Sequence, residues 1–188
     1  MPVVSQDNAE LSGLLRVAEL MAIAARTAPK ARGVDVIKTA IIYGPGELER
    51  LAKKMDEIAV RTELGFFSRD ANCIRRSKAV LLIGAIGSEP RGLDCAACGF
   101  RTCSNFKEAR ANRPVKGFLR GPNCMMAILD LGIAVGSAVK IASDLNVDNR
   151  IMFTVGVAAL ELGLMDADVV LGIPLSATGK NIYFDRKG

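Results

Sequence analysis

The chain has no histidine and no tryptophan in 188 residues, and only nine Phe and Tyr residues. Without histidine there is no Ser-His triad, no His-ligated zinc and no Rieske-type cluster, so any metal must be held by cysteine or carboxylate. The thin aromatic content comes without an RNP-like motif, and no helix-turn-helix pattern stands out, so nucleic acid is not an expected partner. No apolar run is unbroken for the length of a bilayer. The longest, 125–142, is interrupted by Asp130 and Lys140 and reads as amphipathic, so no membrane is expected. The first residues, Met1-Pro2-Val3-Val4-Ser5-Gln6-Asp7, lack a basic region followed by an apolar core and do not read as a signal peptide. A cytoplasmic protein with reduced thiols is the expectation.

What the chain does have is cysteine in one place. Four of its five cysteines, Cys95, Cys98, Cys103 and Cys124, follow the spacing C-x2-C-x4-C-x20-C. Three thiols within nine residues can close on one small object, and the fourth arrives from elsewhere in the fold. A cubane iron–sulfur cluster is held in this manner, one thiolate per iron. Gly99 after the second cysteine permits a turn with positive φ. Two rivals stand beside this reading. A four-cysteine zinc site uses the same ligands, although zinc ribbons pair two C-x2-C knuckles and only one is present. Disulfides would need an oxidising compartment, to which nothing in the chain points. The fifth cysteine, Cys73, reads as a small buried apolar residue.

Half of the residues are hydrophobic and 24% are charged, which suits one folded domain over 1–188 with a metal-binding segment at 92–124 inside it. The net charge is +5; a [4Fe-4S] cluster with its thiolates would bring it to about +3. That mild excess permits an acidic partner or a phosphate-bearing ligand.

Apolar periodicity predicts a helix from Asp7, with Glu10 completing a capping box, to about Ala28 before Pro29. A basic loop spans 30–33. Residues 34–43 read as a buried strand, 48–58 as a helix, 66–77 as a short helix carrying Cys73, and 79–84 as a second buried strand. After the cysteines come a helix over 104–111 capped by Thr102, an extended piece at 115–119 and a long helix from Cys124 to Ala142. In that helix Gly132 and Gly136, four apart, either allow close approach of another helix or merely fill a tight core. A further helix over 151–162, capped by Asp148 or Asn149, and a strand at 167–174 precede a polar tail, 175–188. Helices around a few apolar strands give an α/β (α+β) layered sheet. Asp130, Asp166 and Asp168 are flanked by apolar residues, yet each reads as a cap or surface residue, and no general acid or base is apparent.

Three resemblances add to this. The segment Cys98-Gly99-Phe100-Arg101-Thr102-Cys103 is similar to the [4Fe-4S] motif of corrinoid iron–sulfur proteins and of subunits of membrane-linked electron-transport complexes. The last gap, before Cys124, is a few residues longer here. The flanks resemble the FMN-dependent nitroreductase fold: Ala24-Ala25-Arg26-Thr27-Ala28-Pro29 is similar to its helix-ending segment, Asp130-Leu131-Gly132-Ile133-Ala134 to the start of its central helix, and Val169-Val170-Leu171-Gly172-Ile173-Pro174 to its late strand. That resemblance implies helices around a small central sheet, with the cysteine-rich loop inserted, an intertwined homodimer, and FMN at the subunit interface. The family's N-terminal Arg-Arg-Ser element has no clear counterpart. Arg26, Lys30, Arg32, Lys180 and Arg186 are the cations that could supply flavin phosphate contacts instead, and each also reads as ordinary solvated charge. Over its full length the chain resembles an uncharacterised prokaryotic family described as containing a ferredoxin domain, through Cys95 to Cys103, Gly121-Pro122-Asn123-Cys124, Gly172 to Ser176 and Lys180 to Arg186.

Three functions follow as expectations. The first is a redox protein passing electrons through one [4Fe-4S] cluster to a partner protein or small acceptor. The second is an FMN-dependent nitroreductase-like oxidoreductase with the cluster as relay. The third is an interaction protein stabilised by a four-cysteine zinc site.

Overall fold

A computed structural model describes residues 2–184; of the expected phosphate contacts, Arg186 lies outside the described residues. The elements are α1 (Gln6–Thr27), β1 (Ile37–Tyr43), α2 (Pro45–Thr62), α3 (Phe66–Arg75), β2 (Ala79–Ala85), α4 (Cys103–Asn112), β3 (Val115–Lys116), β4 (Arg120–Gly121), α5 (Met125–Asp144), β5 (Asp148–Asn149), α6 (Phe153–Glu161) and β6 (Val169–Ser176). A 3-10 turn, Ala31–Gly33, joins α1 to β1.

One antiparallel sheet runs β1-β2-β6-β5, with Ile41 opposite Leu81 and Leu82 opposite Gly172. β2 is central and buried throughout. Successive side chains of a strand point to opposite faces, and β2 uses both. Leu81 and Ile83 enter one core with α1 and α5, whereas Val80 and Leu82 enter another with α2, α3 and α6. The result is a three-layer α/β sandwich, in agreement with the expected fold class.

α5 meets this frame through Leu131, Ala134, Val135, Ala138 and Ala142, the apolar stripe of an amphipathic helix. It is long and apolar enough to span a bilayer by length and composition, but that stripe is committed to the core. α1 packs against it in the same core. Gly132 and Gly136, expected to admit a neighbouring helix, face outward with open space beyond the α-carbon.

Several local expectations are corrected. The N-cap of α1 is Ser5, whose hydroxyl accepts from Asn8 N–H at 3.4 Å, in place of the Asp7–Glu10 box. β1 is half-exposed because it is a sheet edge among the described residues: Ile37 is buried, while Lys38, Thr39 and Tyr43 face solvent. Asp148 and Asn149 do not cap α6. They pair with Ser176 and Leu175 as a short strand, and Met152 precedes the helix. The extended piece at 115–119 is half of a hairpin, β3 with β4. The tail is not simply polar, since Ile182 and Tyr183 are buried in the second core. The Tyr183 hydroxyl sits 3.0 Å from Ser77 Oγ, and burial pushes its pKa up to about 12.

Candidate metal centre

All four motif cysteines line one small cavity, together with Arg91 and Phe100. Two arms form it. The first, 92–103, leaves the end of β2 and winds out through two non-glycine residues with positive φ, Asp94 (46°) and Ala96 (56°), which flank Cys95. Such conformations cost on the order of 1 kcal/mol or more and gather at functional sites. Gly99, at φ 84°, turns the chain back as its spacing predicted, and its N–H bonds Ala96 O at 2.9 Å. Asp94 Oδ1 accepts the Cys103 N–H at 2.6 Å and closes the arm. Thr102 is the N-cap of α4 as predicted, accepting from Asn105 N–H at 3.1 Å. Cys103 is therefore the first residue of a helix whose positive end favours negative charge nearby.

The second arm delivers Cys124. This residue is the N-cap of α5, one step before the first turn expected from sequence, and is 5% exposed. Its N–H bonds Gly87 O at 2.7 Å. Asn123 packs against Gly87 so tightly that an added Cβ there would lie 2.8 Å from Asn123 Cγ. Glycine at 87 thus leaves room for the Asn123 side chain beside Cys124. Arg110 of α4 clamps the same segment, donating to Arg120 O at 2.8 Å and Pro122 O at 2.6 Å while pairing with Asp168. Asp168 Oδ2 in turn accepts from Ser88 N–H at 2.8 Å. Phe106 stacks edge-on against Phe100 at 5.8 Å and, with Val36, Cys124 and Ala127, makes a small apolar floor beside Cys98. The four thiols span the range from exposed (Cys95) through half-buried (Cys98, Cys103) to buried (Cys124).

Behind the cavity lies a charge pair that sequence reasoning did not find. Arg91 and Asp130 are each 4% exposed. Asp130 Oδ1 accepts the Ala31 N–H at 2.9 Å, and its Oδ2 faces Arg91 Nε at 3.8 Å. Asp130 is therefore neither a cap of its own helix nor a surface residue, and Asp168 is likewise tied inward. Asp166 is exposed, as expected.

The cations expected at a flavin phosphate fall into two places. Arg26, in the last turn of α1, and Lys30 and Arg32, on the α1–β1 connection, make up one of them, each already engaged. Arg26 pairs with Asp35 at 2.9 Å, Lys30 caps the C-terminal carbonyls of α1, bonding Ala25 O at 3.0 Å, and Arg32 donates to Arg91 O at 2.9 Å. Lys180 lies in the segment after β6, where its carbonyl oxygen accepts from the Thr178 hydroxyl at 2.7 Å.

All five cysteines are free thiols. Cys73 sits on α3, in the layer opposite α5, half-buried against the second core. Burial, then the nearby Asp70 carboxylate, pushes its thiol pKa up. The donor set at the cavity, four thiols with a buried guanidinium beside them, suits an iron–sulfur cluster. The cavity volume is about 10 Å³, room for roughly one water. A cluster needs more, and the wall on its solvent side is Leu93, Asp94, Cys95 and Ala96, all exposed.

A solved structure of nitroreductase CinD from Lactococcus lactis, in complex with nicotinic acid, is similar with a TM-score of 0.57 at 12% identity, covering 97% of this chain and 86% of its own. A protein from Desulfovibrio desulfuricans solved in complex with FMN gives 0.51 at 14% identity, with 100% and 82% covered. A BluB-like flavoprotein from Clostridium difficile gives 0.51 at 16% identity, with 100% and 87% covered. These likenesses establish a nitroreductase-type fold. In sequence, an Archaeoglobus fulgidus protein described as an uncharacterized protein is 48% identical over 185 residues, covering 98% of this chain and 97% of its own length. The family described as "uncharacterized protein containing a ferredoxin domain" matches residues 120–186, which include Cys124. The chain belongs to that family of ferredoxin-domain proteins.

Proposed function

We propose that the protein is an iron–sulfur redox protein in which Cys95, Cys98, Cys103 and Cys124 hold one [4Fe-4S] cluster, within a single domain whose binding unit is 92–124. The observation that carries this reading is the convergence of all four thiols on one cavity from two separate arms. The family description and the fold both support redox chemistry. When bound, the cluster supplies a carrier of one electron at a time. The chain's own residues position and shield it. Gly87 and Arg110 fix the Cys124 arm, Asp94 closes the other, and Phe100 and Phe106 keep water from the inner side. The exposed Cys95 edge is where a redox partner protein or small acceptor would approach. A cytoplasmic setting, with reduced thiols, belongs to this reading.

A single zinc ion fits less well. Zinc ribbons pair two C-x2-C knuckles and only one is present. Among the described residues no three ligand-type side chains gather tightly enough to hold an ion, so iron or zinc alike would have to draw the four thiols inward from the cavity wall. Protein purified without oxygen is expected to be brown, with about four iron and four sulfide per chain. One zinc per chain and no iron would sink the proposal.

The second reading adds FMN, with the cluster as relay, and a homodimer. It is favoured by the fold, since a protein with a similar structure was solved with FMN. It is also favoured by the outer face of α5, where Met125, Leu129 and Ile133 are exposed beside Gly132 and Gly136. A flavin phosphate at Arg26, Lys30 and Arg32 would have to displace the contacts those cations now make. Sedimentation is expected to give a dimer of the 20.0 kDa chain, and added FMN to lose its fluorescence at one equivalent per chain. A monomer that leaves FMN fluorescent excludes this reading without touching the first.

A further inference from the structure

Arg91 is buried at a place where a charge is costly. Its side chain is 1% exposed, and Nε and Nη2 have no hydrogen-bond acceptor among the described residues. The carboxylate in ion-pair range, Asp130, presents Oδ2 at 3.8 Å, too far for a hydrogen bond, and Oδ2 itself has no donor. Taking a guanidinium out of water costs several kcal/mol, and one distant carboxylate does not restore it. Asp130 is also not free to close the gap, because Oδ1 is held by Ala31 N–H, and the Arg91 backbone is held in turn by Arg32. Two anchors from the α1–β1 connection thus fix both members of the pair. Arg91 lies four residues before Cys95 and lines the cavity of the four thiols.

We propose that Arg91 donates hydrogen bonds to the sulfur of the bound cluster and sets its reduction potential, with Asp130 as a positioning residue that fixes the guanidinium and offsets part of its charge. This rests on the iron–sulfur reading above. A cluster with four thiolates is anionic and gains one more negative charge on reduction, so a fixed cation beside it favours the reduced form. Net charge and hydrogen bonds to sulfur are the protein's usual means of moving such potentials. Among the described residues, Arg91 is the buried cation lining the cavity.

The test is a dye-mediated redox titration of the iron-loaded protein, followed by electron paramagnetic resonance, with dithionite as the one-electron reductant. Arg91→Gln is expected to lower the reduced-to-oxidised ratio at a fixed potential about tenfold, a downward shift of about 59 mV for one electron. Arg91→Lys keeps the charge and recovers most of that shift. Asp130→Asn keeps the Ala31 contact, leaves Arg91 less neutralised, and moves the potential upward. A merely structural pair would alter melting temperature and leave potential alone. Arg91→Gln with full iron and a wild-type potential overturns the proposal. If Arg91→Gln does not load iron, Asp130→Asn decides: a raised potential supports the proposal, and an unchanged or lowered one overturns it. Wild-type protein without iron overturns the functional reading and this inference together, and metal analysis separates that failure from the others.

Discussion

Cys98→Ser is expected to lose at least nine-tenths of the bound iron and sulfide, while Cys73→Ser keeps both at the wild-type level. Loss of a supporting contact around a metal typically costs about 10–100-fold in affinity, and loss of a ligand costs no less. A serine hydroxyl stays protonated at neutral pH and does not replace a thiolate on iron. Cys98 sits beside the floor of Val36, Phe106, Cys124 and Ala127. Cys73 lies on α3, in the layer across the sheet from α5, with a pKa raised by burial and by Asp70. A thiol held neutral in an apolar setting is neither a good nucleophile nor a good ligand. Iron and sulfide analysis of the two variants, prepared without oxygen, decides the matter. Equal loss in both would move the ligand set and bring Cys124 into question first.

What the sequence made legible was local. The β2 run, the α5 stripe, the Gly99 turn and the Thr102 cap depend on residues a few positions apart, and each stands as read. The four cysteines of the motif line one cavity. The misreadings depend on distant partners. β1 looks buried by composition, but burial of a strand depends on having a neighbour on each side. Asp148 and Asn149 have the residue types of a cap and instead meet β6. Asp130 finds Ala31 across 99 residues, and Arg110 finds Asp168 across 58. A charged residue within an apolar helix face, as Asp130 is in α5, was the one available sign of a buried partner. Nothing local marked Arg91 or Arg110.

Gly156→Ala is expected to destabilise the fold by about 3 kcal/mol, the upper part of the usual range for overpacking. In a chain of this length that lowers the melting temperature by about 10 °C. Two effects oppose each other. Alanine is the better helix former by about 1 kcal/mol, so within α6 alone the change is favourable. Against that, α6 lies directly on β6. A Cβ at 156 would overlap the Val170 carbonyl and come within 3.1 Å of Leu171 N. These are backbone atoms of a strand paired on both sides, and they cannot turn aside as a side chain can. Across the contact, a Cβ at Gly172 would lie 2.5 Å from Val155 Cβ, so neither element can retreat by sliding along the other. The close approach therefore outweighs the propensity. Gly136→Ala in α5 is the control: it faces open space in this chain, and the same propensity acts there unopposed. Thermal or urea unfolding should show Gly156→Ala lowered and Gly136→Ala unchanged or raised by up to about 1 kcal/mol. A Gly156→Ala protein as stable as wild type would mean that α6 does not sit against β6 as described. A marked loss in Gly136→Ala, confined to dimeric protein, would place that outer face of α5 against a second copy.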